Sequence, residues 1–328
     1  MKNGYLSNII ICLIISAFIL IFSRLCLSFL IREDYSNRPL ISFKEDLYVS
    51  IDFGNYKSSY VYYFDNNDKV SQAQIRSIPS IVILNKYNYK GKNIGKKSDK
   101  DDISKIIYFD NLKKLLQNIS YSGDKDINYI KSSKAIIEYL RLLSNEIMID
   151  ISFSTNNNYL KEETNWIINA PRIWDDFEKM NLINFAKEAG MYNVELALDS
   201  EVASLSVLND KIIENKLKKN GKIFLLVDLG DSKMDISLNE IENNNINQLT
   251  EPLGGNFGSR NINEDLMKVL EKVFGKEIIE NAKENQFDEY LLTWNSLEDL
   301  KKKYINNNTK YYDVYAEFYR NDCVIEYI

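Results

Sequence analysis

The sequence contains no histidine and few cysteine, proline and glycine residues. Its 328 residues include 3 Cys, 4 Pro and 12 Gly. The absence of histidine excludes every Ser-His-Asp or Cys-His nucleophile and every histidine-containing metal site. Cys12, Cys26 and Cys323 are too few for a zinc cluster or a disulfide scaffold. Any chemistry must therefore depend on carboxylates, lysines, hydroxyl groups and backbone amides.

The rest of the composition is typical of an acidic globular protein. Hydrophobic residues make up 45% of the chain and charged residues 27%, which excludes a disordered or fibrous protein. At about 150 residues per domain, the length predicts two domains or one bilobed unit. The 41 basic and 47 acidic residues give a net charge of -6. Nucleic-acid binding requires a basic face, so we expect no nucleic-acid partner.

An apolar segment near the N-terminus predicts attachment to a membrane. Residues 9–22 are apolar apart from one serine, and apolar character resumes over residues 25–31. Together, residues 6–31 can cross a bilayer, which needs about 20 residues, if Arg24 lies at the interface. We therefore expect a signal anchor over residues 1–32 and a linker over residues 33–46. A cleavable signal peptide is the alternative.

Such an anchor would make the protein a single-pass membrane protein. Basic residues flank the apolar segment, with more of them on its C-terminal side. This asymmetry favours a cytoplasmic body. The sequons at Asn118 and Asn307 would be glycan acceptors in the lumen of the endoplasmic reticulum, which is the alternative location.

After the linker, hydrophobic patterns predict alternating strands and helices. Short runs of β-branched, aromatic and apolar residues predict strands over 47–54, 58–64, 80–84, 166–169, 194–198, 222–229 and 234–241. Spacings typical of an amphipathic helix predict helices over 130–149, 174–189, 200–208, 263–274 and 297–304. Residues 86–102 form a polar excursion, and the tail predicts a tyrosine-rich strand pair.

One short motif occurs in two of the predicted hairpins. Asp52-Phe-Gly54 and Asp228-Leu-Gly230 each follow an apolar strand and precede a second strand. A glycine at such a turn lets backbone amides approach a phosphate closely. The aspartate before it can hold Mg²⁺, usually through water. A single copy is typical of an ordinary turn, but two hairpins facing each other would clamp a nucleoside triphosphate.

These motifs resemble the nucleotide-binding domain of the 70-kDa heat-shock chaperone family, within the actin-like ATPase superfamily. The similarity is greatest to a divergent branch without the usual peptide-binding domain. The supporting segments are Ile78-Pro-Ser80, residues 166–176 continuing to 191, residues 198–204 and residues 253–258. The resemblance implies an α/β, ribonuclease H-like bilobed fold. Lobe I would cover residues 47–220, and a C-terminally incomplete lobe II would cover residues 221–328.

The resemblance also implies a role for individual residues. Asp52 and Asp228 would hold hydrated Mg²⁺, and Lys113 would reach the γ-phosphate of ATP unless it is a solvated helix lysine. Asp199 falls at the position of the general base but is one methylene shorter than the family's glutamate. Asp235 would help to orient the attacking water. The residues expected to contact the nucleotide are Gly54, Asn55, Tyr56, Gly230, Asp231, Ser232, Lys233, Gly254 and Gly255.

Both phosphate loops depart from the family pattern. The family's Gly-Thr-Thr is replaced by Gly54-Asn-Tyr56, and its Gly-Gly-Gly-Thr by Gly230-Asp-Ser-Lys233. Asp231 would bring a carboxylate close to phosphate oxygens, and like charges about 4 Å apart repel by about 1–4 kcal/mol. Lys233 could offset this repulsion. The adenosine-binding glycine loop and the last helix of lobe II are not found after Gly258.

Three functions are consistent with these residues. The first is an ATP-binding, chaperone-like protein, with ATP hydrolysis depending on the altered loops and with a client or co-chaperone as partner. The second is a catalytically inactive relative that serves as a binding or scaffold module. The third is a sugar kinase of the same superfamily, although the sequence contains no sugar-site motif. The retained Asp52, Lys113, Asp228 and Asp235 favour the first, and the altered loops favour the second.

Overall fold

The computed structural model describes residues 46–64, 76–95, 102–121, 127–209, 222–242, 245–251, 253–306, 314, 316–320 and 323–327. The predicted anchor and almost all of the predicted linker lie outside these ranges. In the part of the chain that is described, no helix combines the length and apolarity that a membrane span requires.

A five-stranded sheet with the order β3-β2-β1-β7-β8 forms the centre of the N-terminal part. Its strands are β1 (Leu47–Asp52), β2 (Lys57–Phe64), β3 (Arg76–Pro79), β7 (Asn165–Ala170) and β8 (Asn193–Leu198). The first three are antiparallel, whereas β7 and β8 run parallel to β1. Parallel neighbours need long crossovers, and the chain provides them as helices.

Within the described ranges, four helices accompany this sheet. They are α1 (Leu112–Tyr121), α2 (Ile127–Thr155), α3 (Asp176–Glu188) and α4 (Asp199–Asn209). A separate antiparallel sheet contains β4 (Val82–Asn85), β5 (Gly91–Ile94) and β6 (Ile106–Phe109). The predicted helices over 130–149 and 200–208 are confirmed. The predicted polar excursion over 86–102 contains β5.

The core of this part lies where β1 and β7 pack against α2. Val49, Ile51 and Trp166 are fully buried, as are Ile136 and Leu140 of α2. Each apolar side chain of this size contributes about 1.5–3 kcal/mol when it is removed from water. This core fixes the positions of the strand ends that carry the candidate site.

A second sheet is built on the second predicted hairpin. Its strands are β9 (Lys222–Leu229), β10 (Met234–Glu242), β11 (Asn245–Gln248) and β12 (Leu253–Gly255). β10 pairs with each of the other three in antiparallel fashion. The two predicted strands over 222–229 and 234–241 are therefore confirmed.

The chain divides into two compact units. Of the described residues, one unit contains those up to Leu229 together with those in Met234–Gly255, and the other contains Gly230–Lys233 and those from Asn256 onward. The second unit has helices α5 (Ser259–Phe274), α6 (Lys276–Asn285) and α7 (Phe287–Asn306), and a hairpin of β13 (Ala316–Arg320) and β14 (Cys323–Tyr327). The predicted strand pair of the tail is this hairpin. Helix α6 was not predicted. The lobe boundary at residue 220 stays a prediction.

Candidate functional site

The carboxyl ends of three parallel strands meet at one edge of the first sheet. Strand β1 ends at Asp52, and the residue before it, Ile51, pairs with Ile168 of β7. Strand β8 ends just before Asp199, the first residue of α4. In α/β proteins this edge is the usual location of a ligand site. The fold thus brings Asp52 and Asp199 together although they are 147 residues apart in the sequence.

Asn169, on β7, links these two aspartates. Its Nδ2 donates hydrogen bonds to Asp52 Oδ1 at 2.7 Å and to Asp199 Oδ1 at 2.6 Å. Its Oδ1 accepts the backbone N–H of Phe53 at 2.6 Å. Sequence reasoning missed this residue. The available signal was a polar amide near the end of an apolar, buried strand, just before Ala170 and Pro171.

The second hairpin contributes two further aspartates. Asp228 near the end of β9 lies directly opposite Asp235 of β10. Asp235 is buried, and on its other side it pairs with Gly254 of β12. Gly255, which is predicted to contact the nucleotide, pairs with Met234 of β10. The two aspartates predicted to act at the second hairpin are therefore neighbours in the sheet.

Lys113 lies in the first turn of α1 and is buried. Its Nζ is 3.6 Å from Asp199 Oδ2 and 6.0 Å from the centre of the Phe53 ring. The adjacent Lys114 is exposed. The alternative interpretation of Lys113 as a solvated helix lysine is therefore wrong. Its proposed contact with a phosphate stays a prediction.

The pKa values of two aspartates in this cluster lie well above the ordinary range. Burial raises the pKa of Asp52 to about 6, an effect that Lys113 opposes and Asp199 reinforces. Burial also raises the pKa of Asp228 to about 7, with further contributions from Asp199, Asp235 and Asp52. Both shifts mean that the charged forms are costly in the absence of a cation. Clusters of this kind are typical of functional sites.

The donor set fits a hydrated magnesium ion better than a directly bound metal. Carboxylate oxygens are the protein ligands that Mg²⁺ prefers, and the ion usually retains several waters. Across the described ranges, no three carboxyl or thiol groups lie close enough together to bind a metal directly. The role of Asp52 and Asp228 in holding Mg²⁺ through its waters stays a prediction.

The first predicted phosphate loop, residues 54–56, is tied to its neighbours. A Cβ at position 54 would collide with the carbonyl oxygen of Lys57, so the turn requires Gly54. The Oδ1 of Asn55 accepts the backbone N–H of Lys113 at 3.1 Å. The carbonyl of Tyr56 accepts the N–H of Ser80 at 3.0 Å. The loop is thus connected directly to the start of the helix that carries Lys113.

The second predicted phosphate loop, residues 230–233, belongs to the other compact unit. Its turn is closed by a hydrogen bond of 2.9 Å from the N–H of Gly230 to the carbonyl of Lys233. The Asp231 carboxylate forms an ion pair with Arg260 at 2.9 Å. Ser232 and Lys233 are half-buried. The sequence predicts that Asp231 repels phosphate oxygens, whereas in the structure Arg260 balances the charge of Asp231.

Comparison with solved structures identifies the fold as that of the actin-like ATPases. The chain is similar to MreB5 of Spiroplasma citri bound to AMPPNP, with a TM-score of 0.51 and 15% identity over 86% of this chain and 71% of that one. It is also similar to MreB5 bound to ADP, with a TM-score of 0.50 and 16% identity over 86% and 70% of the two chains. The predicted fold class is therefore confirmed for the described residues. The predicted N-terminal helix lies outside them.

Sequence comparison confirms the resemblance to the 70-kDa heat-shock proteins. The chain is 20% identical to heat shock 70 kDa protein 12A of mouse and of human, over 72% of its own length. No protein-family model matches it. The chain spans 46% of the length of these curated relatives.

Proposed function

We propose that this chain is an ATP-binding protein of the 70-kDa heat-shock type. The observation that carries the proposal is the cluster of Asp52, Lys113, Asp199, Asp228 and Asp235. Asp52 and Asp228 occupy equivalent positions in the two hairpins. Among the residues that the structure describes here, four carboxylates face one ammonium group. This excess charge costs stability, and such a cost is typical of residues retained for activity rather than for folding. Magnesium bound to a nucleotide would relieve it.

The residues of the cluster suit different parts of a bound Mg-ATP. Lys113 would transfer its contact from Asp199 to the γ-phosphate. This transfer would free Asp199 Oδ2 to accept a proton from an attacking water. Asp52 and Asp228 would accept hydrogen bonds from the waters around Mg²⁺, and the ion when bound would neutralise phosphate charge. The residues of both loops stay predicted nucleotide ligands.

Chaperone activity and membrane attachment are further parts of this proposal. A client protein or co-chaperone is the partner that the resemblance to the 70-kDa heat-shock chaperones implies. The apolar segment over residues 6–31 supports a single-pass anchor with a cytoplasmic body. Carbonate extraction of membranes from expressing cells tests the anchor. Release of a shortened chain into the supernatant would instead indicate a cleaved signal peptide.

Thermal unfolding of the full-length chain with Mg-ATP tests the proposed nucleotide site. At a free ligand concentration of 100 times Kd, binding stabilises the folded state by about 2.7 kcal/mol. For a chain of 328 residues we expect the melting temperature to rise by roughly 4 °C. An unchanged melting temperature at millimolar Mg-ATP would rule out the site.

The second candidate function is a nucleotide-binding module that does not hydrolyse ATP. It is favoured by the Asp231–Arg260 pair and by Asn55 and the bulky Tyr56, which replace the two small hydroxyl donors of the family's first loop. Phosphate release from the purified chain separates the two functions. Mg-ATP binding without phosphate release above background would support the inactive module. Asp199→Asn should then show the same background rate of phosphate release as the wild type.

A further inference from the structure

Asn169 has an unusual position for an uncharged side chain. It is 3% exposed and lies among the charged residues at the carboxyl edge of the first sheet. Its amide contacts three other segments: the end of β1 through Asp52, the following turn through Phe53, and the start of α4 through Asp199. Asn169 therefore connects the end of β1, which carries Asp52, with the start of α4, which carries Asp199.

The orientation of the Asn169 amide is set by its partners. The backbone N–H of Phe53 can only donate, so the Asn169 oxygen must face it. The amide nitrogen then has two protons, and each is directed to a different carboxylate, one of Asp52 and one of Asp199. All three contacts are short, and rotation of the amide would break each of them. The side chain thus has a single favourable orientation.

A neutral donor at this position has a distinct electrostatic consequence. A lysine or arginine bridging two carboxylates would neutralise part of their charge, and the site would attract a cation less strongly. An amide instead satisfies one oxygen of each carboxylate and leaves both negative charges in place. It also limits the distance between the two groups, since both must remain within hydrogen-bond reach of one nitrogen.

We propose that Asn169 is a positioning residue, which holds Asp52 and Asp199 in the arrangement that Mg-ATP requires. This inference rests on the proposed nucleotide function. It predicts that Asn169 acts through the magnesium-facing carboxylate, and so contributes to the magnesium-dependent part of nucleotide affinity. Residues that orient the ligands of a metal typically contribute tenfold to a hundredfold to affinity.

The test uses a nearly isosteric substitution. Asn169→Asp keeps an oxygen for the Phe53 N–H and replaces the donating NH₂ by an oxygen. Calorimetry of the full-length chain should show at least a roughly tenfold loss of affinity for Mg-ATP and a smaller loss for ATP in EDTA. A defect that is merely structural would weaken both equally. The matched control is Asn181→Asp, another buried asparagine, on α3, which should retain the affinity of the wild type.

A second arm needs no nucleotide. At pH 8, Asn169→Asp should lower the melting temperature because it places a new carboxylate against Asp52 and Asp199. Adding Asp52→Asn should recover part of this loss, since an amide then faces the new carboxylate. If the wild type fails to bind Mg-ATP, the proposed function is wrong. The melting temperatures of these variants then test the contact of Asn169 with Asp52 without nucleotide. The inference is overturned if Asp52→Asn gives no recovery, or if the wild type and Asn169→Asp bind Mg-ATP equally well.

Discussion

Asp231 and Arg260 form a largely buried ion pair, in which Oδ2 and Nε are 2.9 Å apart and the side chains are 14% and 10% exposed. The main chain reinforces the contact, because the N–H of Arg260 donates to the carbonyl of Asp231 at 2.6 Å. The guanidinium also lies 5.0 Å from the centre of the Trp294 ring. Burial raises the pKa of Asp231 and Arg260 opposes the shift. The second loop is thereby fixed to the start of α5.

Removing Arg260 should be strongly destabilising. Arg260→Met leaves the Asp231 carboxylate buried without this partner, and breaking a buried pair costs about 3–5 kcal/mol. Urea denaturation measures the loss. The double variant Asp231→Asn, Arg260→Met should recover much of it. The control is Arg172→Met, which breaks an exposed pair with Glu201 and should cost no more than about 1 kcal/mol. Equal effects at the two arginines would contradict a buried, energetically important pair.

Asp228→Asn should stabilise the nucleotide-free protein at pH 8. The folded-state pKa of Asp228, about 7, exceeds the ordinary value of 3.8. The folded state therefore binds a proton that the unfolded state releases, and stability falls as pH rises from about 4 to about 7. Asp228→Asn has no titrating carboxyl group at this position and therefore does not lose this stability. Its melting temperature should exceed that of the wild type by a few degrees at pH 8.

The same comparison at pH 4 provides the internal check. At pH 4 the folded wild type is protonated at this position and the unfolded state is roughly half protonated, so most of the advantage of Asp228→Asn should vanish. Asp265→Asn, at an exposed position, should leave the profile unchanged. A variant that is less stable than the wild type at pH 8 would show that Asp228 contributes to folding rather than opposing it. The gain in stability should be accompanied by loss of Mg-ATP binding.

Two adjacent lysines should differ sharply in their effect on nucleotide binding. Lys113 is buried beside Asp199, whereas Lys114 is exposed. A hydrogen bond to a charged group contributes about 1.5–3 kcal/mol, so Lys113→Met should weaken Mg-ATP binding by about tenfold or more. Lys114→Met should bind as the wild type does. Titration calorimetry measures both. A similar loss in the two variants would indicate a general effect of positive charge.

The two glycines of the repeated motif should respond differently to alanine. A Cβ on Gly54 would collide with the Lys57 carbonyl oxygen, whereas one on Gly230 would lie 3.4 Å from the Lys233 carbonyl oxygen, an ordinary contact. Gly54→Ala should therefore cost about 1–3 kcal/mol of stability, as other overpacking substitutions do. Gly230→Ala should be within about 0.5 kcal/mol of the wild type. Urea denaturation of both variants checks this. An equal cost would mean that the hairpins share one turn geometry.

Local patterns were sufficient for most of the fold. The strands of both hairpins and helices such as α2 have periodicities that depend on neighbouring residues alone. Helix α6 was missed because it is short and most of its residues are polar and exposed, which leaves few apolar residues to form a helical pattern. Its burial against the rest of the second unit, through Ile278, Ile279 and Ala282, is a tertiary effect.

The sequence by itself determined the class of fold and the two aspartates at or near the ends of hairpin strands, because a duplicated motif and alternating apolar runs are visible without coordinates. The tertiary structure decided which charges meet. It selected Lys113 over Lys114, placed Asn169 between Asp52 and Asp199, and supplied Arg260 as the partner of Asp231, 29 positions away. Such pairings depend on distances and burial between segments that are remote in the chain. Sequence spacing does not carry that information.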